Sequence, residues 1–203
     1  MAGRIVVLIS GAGSNMHALV RACRAGDVPA EVVGVLADRA CDGLDLARKE
    51  GIDTAVLDPR GYVTREEWSA RLRDMADSFA PDLVVSAGFM RILAPVFVHA
   101  FSGRLINLHP SLLPAYPGAH AVRDALEDGA RVTGSTIHFV DNEVDHGPPI
   151  IQEEVPIEPG DDQETLHERI KTAEHRMLAE ACRLVLEGHV TLEGGRVRRD
   201  DPA

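Results

Sequence analysis

The sequence of 203 residues has no long apolar run and few cysteines. Its first apolar segment, residues 5–9, has five residues, too few for the core of a signal peptide. No segment reaches the roughly 18–20 apolar residues of a membrane span. The three cysteines, Cys23, Cys41 and Cys182, are odd in number and form no C-x-x-C motif, so reduced thiols are expected. These absences predict a soluble, cytoplasmic protein.

An excess of basic residues is also missing, because the formal charge is −11 and the sequence pI is about 5.2. Domains that bind nucleic acid or anionic membranes normally present a basic face, so neither partner is expected. The acidic balance does not oppose a small anionic ligand, since salt screens the overall charge within roughly 8–10 Å.

Several motifs of known chemistry are absent. The nine histidines include no H-x-x-x-H pair, so no metal site is expected. Ser86 and Ser111 lie outside any G-x-S-x-G motif, which argues against a serine nucleophile. The glycine-rich segment 10–15 is followed by Met16 where a dinucleotide fingerprint requires glycine, and it lacks the lysine of a Walker A loop.

Apolar segments alternate with helical patterns in the first half of the chain. Strands are predicted at 5–9, 31–37, 54–57, 83–87 and 105–108, and helices at 16–25, 42–50 and 64–79, the last with Thr64 and Glu67 in a capping box. The second half should contain a proline-rich loop at 107–118, a short helix at 121–127, extended segments at 133–140 and 149–155, a helix at 162–186, a hairpin at 190–197, and a loosely held tail at 196–203.

The order of these elements predicts one α/β domain over residues 1–203. Apolar strands separated by helices are typical of a parallel sheet that is covered on both faces. We therefore expect a Rossmann-like, doubly wound and mostly parallel sheet with helices on both faces and an antiparallel C-terminal portion.

Two segments carry the residue types of a ligand site. Glycines in 10–15 allow a tight turn, and the following helix start can bind a single phosphate. The alternative is a turn without a ligand, with Ser14 or Asn15 as the helix cap. Asn107 and His109 should lie on one side of a strand at its carboxyl end, where open α/β sheets bind ligands. A carboxylate from loop 141–148 could orient His109, although the spacing does not require them to meet.

Five motifs stand out along the chain: VLISGAGSN at 7–15, AGFMRIL at 87–93, INLHPSLLPAYPG at 106–118, GSTIHFV at 134–140 and DHGPPIIQ at 145–152. Their order and spacing cover nearly the whole chain, and the motif at 106–118 is highly specific. The sequence thereby resembles the folate-dependent formyltransferase family. His146 departs from the family pattern, because many relatives have a small residue there.

The resemblance implies transfer of the formyl group of 10-formyltetrahydrofolate to the amine of glycinamide ribonucleotide in purine biosynthesis, without a metal. It implies a nucleotide-binding half, 1–108, and a catalytic, folate-binding half, 109–203. The only partners implied are the two small-molecule substrates, and the protein is expected to be a monomer or homodimer.

The family motifs also assign site residues. The catalytic residues would be Asn107, His109 and Asp145. The ribonucleotide would contact Gly13, Ser14, Asn15, Lys171 and Glu174. The folate would contact Arg65, Met90, Arg91, Ile92, Leu93, Asn107, Val140, Asp141, Asn142, Glu143, Val144 and Asp145. Without the resemblance, Met90, Ile92 and Leu93 would read as core residues, and Lys171 with Glu174 as a surface pair on a helix.

The implied chemistry suits these residue types. An amine that attacks a formyl carbon creates a negative oxygen, to which Asn107 and protonated His109 can each donate, for roughly 3–4 kcal/mol per donor. Asp145 would keep His109 positively charged. The departing folate nitrogen needs a proton.

Three alternatives remain at this stage. Methionyl-tRNA formyltransferases carry a further C-terminal domain, whereas only 17 residues follow Leu186 in this acidic chain. Formyltetrahydrofolate hydrolases usually carry an N-terminal regulatory domain, whereas this chain opens on its first strand. A non-catalytic nucleotide- or folate-binding protein would not need the set Asn107, His109 and Asp145.

Overall fold

Nine β-strands and six α-helices follow one another along residues 2–200, the part of the chain that the computed structural model describes. The strands are β1 (Gly3–Ile9), β2 (Ala30–Ala37), β3 (Thr54–Val56), β4 (Leu83–Ser86), β5 (Leu105–His109), β6 (Val132–Phe139), β7 (Pro149–Pro156), β8 (Val190–Glu193) and β9 (Arg196–Arg199). The helices are α1 (Ser14–Ala25), α2 (Asp42–Lys49), α3 (Arg65–Asp77), α4 (Pro95–Ala100), α5 (Ala121–Glu127) and α6 (Gln163–Leu186).

Seven of the strands form one sheet in the order β3-β2-β1-β4-β5-β6-β7. Strands β1 to β5 are parallel, whereas β6 is antiparallel to β5 and β7 is antiparallel to β6. The chain runs outward from β1 to β3 and then crosses back to β4, so the winding direction switches between β1 and β4. This arrangement confirms the predicted doubly wound sheet with an antiparallel C-terminal portion, and it places the ligand crevice at the carboxyl ends of β1, β4 and β5.

Both faces of the sheet are buried, as the apolar strands predict. Along β1, Val6 and Leu8 pack into one core cluster, while Ile5, Val7 and Ile9 pack into the other. Successive side chains of a strand point to opposite faces, so one apolar strand can serve two cores. Helix α6 buries Leu166, Ile170, Ala173 and Met177, spaced three or four residues apart, against the second cluster. No helix of residues 2–200 has the apolar length that a membrane crossing needs.

The predicted elements are present, with bounds that differ by at most two residues. The prediction missed α4, a six-residue helix that begins at Pro95, because so short a segment shows little periodicity. It was also wrong about the tail. Residues 196–199 form β9, which pairs with β8 across Gly194 and Gly195, both at positive φ as a tight hairpin requires. The last three residues of that predicted tail, 201–203, lie outside the described residues.

Candidate active site

The three residues predicted to be catalytic meet at the carboxyl end of β5. Asn107 and His109 are two residues apart on this strand, so their side chains share one side of the sheet. Asp145, from the loop between β6 and β7, reaches both of them. Its Oδ2 lies 3.4 Å from His109 Nδ1, and its Oδ1 accepts a hydrogen bond of 3.5 Å from Asn107 Nδ2.

The backbone around Asp145 fixes the position of its carboxylate. Asp145 has a φ of 52°, and its Oδ2 accepts a 2.7 Å hydrogen bond from the Gly118 backbone N–H. Two residues on, a Cβ at Gly147 would lie 1.8 Å from the Phe139 carbonyl oxygen, so no larger residue fits there. The Asp145 carboxylate is thus fixed by the Gly118 N–H, and the loop is fixed by the close packing of Gly147 against β6.

His109 is 4% exposed, and both of its ring nitrogens face hydrogen-bond acceptors. Nε2 lies 2.9 Å from the carbonyl oxygen of Tyr116, which can only accept, so Nε2 carries a hydrogen. Nδ1 faces the Asp145 carboxylate. Because each nitrogen has an acceptor opposite it, this surrounding suits the doubly protonated imidazolium.

A second histidine, His138, belongs to the same cluster and was not among the predicted site residues. Its Nδ1 donates to the Phe139 carbonyl at 2.8 Å, which leaves Nε2 free to accept from Asn107 Nδ2 at 3.1 Å. Burial lowers the pKa of His138, although the Phe139 carbonyl and Asp145 oppose the shift. A neutral His138 therefore orients the Asn107 amide, whose second N–H makes only the long contact to Asp145.

The glycine-rich turn after β1 leads directly into α1. Gly13 is the N-cap residue at a φ of 74°, and no side chain caps the helix. The alternative that Ser14 or Asn15 caps this helix is therefore wrong, because both already lie in its first turn. A Cβ at Gly13 would lie 2.8 Å from the Cα of Gly43 in α2, so close packing demands glycine here. An uncapped helix start of this kind is a suitable phosphate site.

Asn15 connects this turn to α6. Its Nδ2 donates to Glu174 Oε2 at 2.8 Å, while its Oδ1 is buried without a hydrogen-bond partner among residues 2–200. The other oxygen of Glu174 lies 3.4 Å from Ser135 Oγ, whose single hydroxyl hydrogen is shared with the His109 carbonyl at 2.9 Å. Polar contacts thus run from the glycine turn to the histidine.

Glu174 is only 2% exposed, and burial raises the pKa of its carboxyl despite the hydrogen bonds from Asn15 and Ser135. It therefore does not form the surface pair with Lys171 that spacing alone suggested. The Lys171 ammonium instead contacts Glu168 Oε1 at 2.5 Å, on the same side of the helix.

Four of the predicted folate contacts line a cavity of about 500 Å³ beside α3: Arg65, Met90, Arg91 and Ile92. Met90 and Ile92 are 58% and 54% exposed, so they are not core residues. Leu93 and Val140 instead pack against the core cluster that contains Trp68. Exposed apolar side chains beside arginines suit a ligand with an apolar ring system and negative charges.

The remaining predicted folate contacts lie in the loop that carries Asp145. Its residues 141–144 are largely exposed. Asp141 contacts His146 Nδ1 at 2.9 Å, and Asn142 Nδ2 contacts His99 Nε2 at 2.9 Å. None of residues 141–144 lines the cavity beside α3. No group of three or more metal-ligating side chains forms within residues 2–200.

The formyl transferase family model matches residues 3–182. The chain belongs to this family. It is 46% identical to phosphoribosylglycinamide formyltransferase of Mycobacterium tuberculosis over 191 residues, which covers 94% of this chain and 88% of that protein. It is also 46% identical to the Escherichia coli protein of the same name over 172 residues, or 84% and 81% of the two chains.

A solved structure supports the same relationship. Glycinamide ribonucleotide transformylase 1 from Symbiobacterium toebii superposes with a TM-score of 0.95 at 46% sequence identity, covering 98% of this chain and 94% of the other. The resemblance to folate-dependent formyltransferases and the predicted fold are both confirmed.

Proposed function

We propose that this formyl transferase moves the formyl group of 10-formyltetrahydrofolate to the amine of glycinamide ribonucleotide, giving formylglycinamide ribonucleotide and tetrahydrofolate. The observation that carries this proposal is the cluster of Asn107, His109 and Asp145, with a phosphate-type turn and an arginine-lined cavity at the same end of the sheet. The names of the similar proteins support the same substrate pair, and this reaction belongs to purine biosynthesis.

In the proposed reaction, the amine nitrogen attacks the formyl carbon and an electron pair moves to the carbonyl oxygen. Protonated His109, through the Nδ1–H whose nitrogen lies 3.4 Å from Asp145 Oδ2, and the less engaged N–H of Asn107 donate to that oxygen, for roughly 3–4 kcal/mol each. The amine then loses one proton, the folate nitrogen gains one, and the bond between carbon and the folate nitrogen breaks. We assign this proton transfer to His109 and Asp145, the acid and base of the cluster.

The ribonucleotide phosphate would be bound by backbone N–H groups at Gly13, Ser14 and Asn15, where the helix start also favours negative charge. Lys171 would supply a nearby positive charge. Glu174 is too buried to serve as an open ligand contact, so we assign its effect to the orientation of the Asn15 amide.

The folate would occupy the cavity beside α3, with its ring system against Met90 and Ile92 and its anionic groups toward Arg65 and Arg91. The loop 140–145 would complete the site from the side of Asp145, with Leu93 supporting the wall from behind.

A single assay tests the proposal. Purified protein is mixed with 10-formyltetrahydrofolate and glycinamide ribonucleotide, and both formylated product and tetrahydrofolate are measured. We expect product and tetrahydrofolate in equal amounts. Release of formate without product would establish a hydrolase instead. A parallel reaction with methionyl-tRNA as acceptor should give no formylation, because the surface carries an excess of negative charge.

A further inference from the structure

A buried carboxylate outside the catalytic cluster joins three of the loops that form the ligand crevice. Asp38 follows β2 and is 1% exposed. Its Oδ2 accepts a 2.7 Å hydrogen bond from Nε of Arg91, in the loop after β4. Its neighbour Arg39 contacts both oxygens, at 3.3 Å and 3.1 Å. Ser10, in the loop after β1, is close enough for its hydroxyl to lower the pKa of the Asp38 carboxyl.

The direction of each hydrogen bond at Ser10 follows from its partners. The Met90 backbone N–H donates to Ser10 Oγ at 2.8 Å, so the single hydroxyl hydrogen of Ser10 is free to bond to Asp38. The Ser10 backbone N–H also donates to the Gly88 carbonyl at 3.1 Å. Residues 88–91 are therefore held to the strand end that leads into the phosphate-type turn.

Asp38 stays ionised in spite of its burial. Burial alone would raise the pKa of its carboxyl, but hydrogen bonds from Ser10, Arg91 and Arg39 outweigh it and lower the pKa. One carboxylate faces two guanidinium groups, both about half exposed, so the group as a whole keeps one positive charge at the crevice. This local charge opposes the sign of the protein as a whole.

Asp38 lies where other folds of this type bind a ligand, yet neither of its carboxylate oxygens is available to one. In dinucleotide-binding folds, an acidic residue at the end of the second strand holds the ribose hydroxyls of the ligand. Here the side chain of Asp38 is fully buried, and both oxygens are taken by residues of the protein. Any effect of Asp38 on a ligand must therefore pass through the side chains that it holds.

We propose that Asp38 is a positioning residue for the folate site. It holds the guanidinium of Arg91 at the cavity beside α3, and through Ser10 it keeps the Met90–Arg91 segment in register with the glycine turn. This inference rests on the proposed function, because it names a supporting residue for one of the two proposed substrates.

The test compares Asp38→Asn with wild-type enzyme in steady-state kinetics. We expect KM for 10-formyltetrahydrofolate to rise about tenfold, while KM for glycinamide ribonucleotide and kcat change less than about threefold. The matched control is Asp161→Asn. Asp161 is nearly buried and bonds to Arg169 at 2.6 Å and 2.8 Å, but it lies in the turn before α6. The control should leave both KM values unchanged.

A double-mutant cycle separates positioning from a general loss of stability. If Asp38 acts through Arg91, then adding Asp38→Asn to Arg91→Ala should raise the folate KM no further. Multiplicative effects of the two changes, an equal rise in both KM values, or an unchanged folate KM in folded Asp38→Asn would each overturn the proposal. If Asp38→Asn does not fold, Ser10→Ala takes its place and should raise the folate KM selectively.

Binding of 5-formyltetrahydrofolate, measured by calorimetry, keeps this test independent of turnover. Weaker binding to Asp38→Asn than to wild type and Asp161→Asn supports the positioning role even if no formyl transfer to glycinamide ribonucleotide is found. Equal binding to all three proteins would refute the role, whether or not the wild-type enzyme transfers formyl groups.

Discussion

The proposed catalytic cluster and the rim of the proposed folate cavity differ in how they are built. In the cluster, His109 and His138 are buried and each of their ring nitrogens has a hydrogen-bond partner or the facing carboxylate. At the rim, Met90 and Ile92 leave more than half of their surface exposed. The polar chemistry is therefore assembled before any substrate arrives, whereas the apolar wall is left for the substrate to cover. Changes in the cluster should affect kcat, and changes at the rim should affect KM.

The largest expected effect comes from breaking the cluster. His109→Ala and Asp145→Asn should each lower kcat by at least about 10², because the reaction loses its acid or the carboxylate opposite it. Steady-state kinetics across pH measure the effect, with His189→Ala as a control outside the cluster. Wild-type turnover by Asp145→Asn at every pH would refute the coupling between Asp145 and His109.

The next effect concerns Glu174, which lies between the cluster and the glycine turn. Glu174→Gln keeps the shape of the side chain but replaces a carboxylate oxygen, which accepts the hydrogen bond from Asn15, with an amide group. KM for glycinamide ribonucleotide should therefore rise about tenfold. The control is Glu180→Gln, on the same helix and less buried. An unchanged ribonucleotide KM would show that the orientation of Asn15 does not matter.

Glu174 also makes a prediction about stability and pH. Its pKa is raised in the folded protein, so the carboxyl stabilises the fold below its ordinary pKa, and this contribution is lost as pH rises through the folded value. Thermal unfolding should therefore show that Glu174→Gln gains stability relative to wild type as the pH is raised from about 4 to neutrality. A constant difference in Tm over this range would contradict the assignment.

A smaller effect is expected at the rim. Ile92→Ser removes roughly half of a buried side chain's apolar contact with the bound folate, so the folate KM should rise about fivefold with kcat unchanged. Val132→Ser is the matched control, because Val132 is 44% exposed but lies at the start of β6, outside the cavity. A fall in kcat of Ile92→Ser without a change in its folate KM would contradict the assignment of substrate binding to the rim and of catalysis to the cluster.

The smallest effect is expected at His146. The contact with Asp141 raises the pKa of His146. The ion pair between them forms below that raised pKa and is lost as the pH rises through it. Because the His146 side chain is exposed, solvent weakens this ion pair at any pH. His146→Ala should change the folate KM less than about twofold at high pH and slightly more at low pH. A large change that persists at high pH would give His146 a role beyond charge.

The parts of the site that lie on one strand could be predicted from the sequence, whereas those that depend on packing could not. Asn107 and His109 share a side because strands have a period of two, and that follows from spacing. His138 lies opposite Asn107 in the antiparallel register, which becomes visible only once β5 and β6 are paired. Glu174 has the spacing of a surface residue, and only the approach of α1 and β6 buries it.

Two neighbouring positions in the loop that carries Asp145 differ in how they tolerate substitution: Gly147 admits no other residue, whereas His146 admits most. Gly147 has the Phe139 carbonyl where any side chain would begin, so its replacement must displace the sheet edge. His146 projects into solvent and can be exchanged at little cost. Substitutions in this loop are therefore tolerated at the exposed position 146 and excluded at position 147. The surface of the loop can change in evolution while the neighbouring Asp145 carboxylate stays in place.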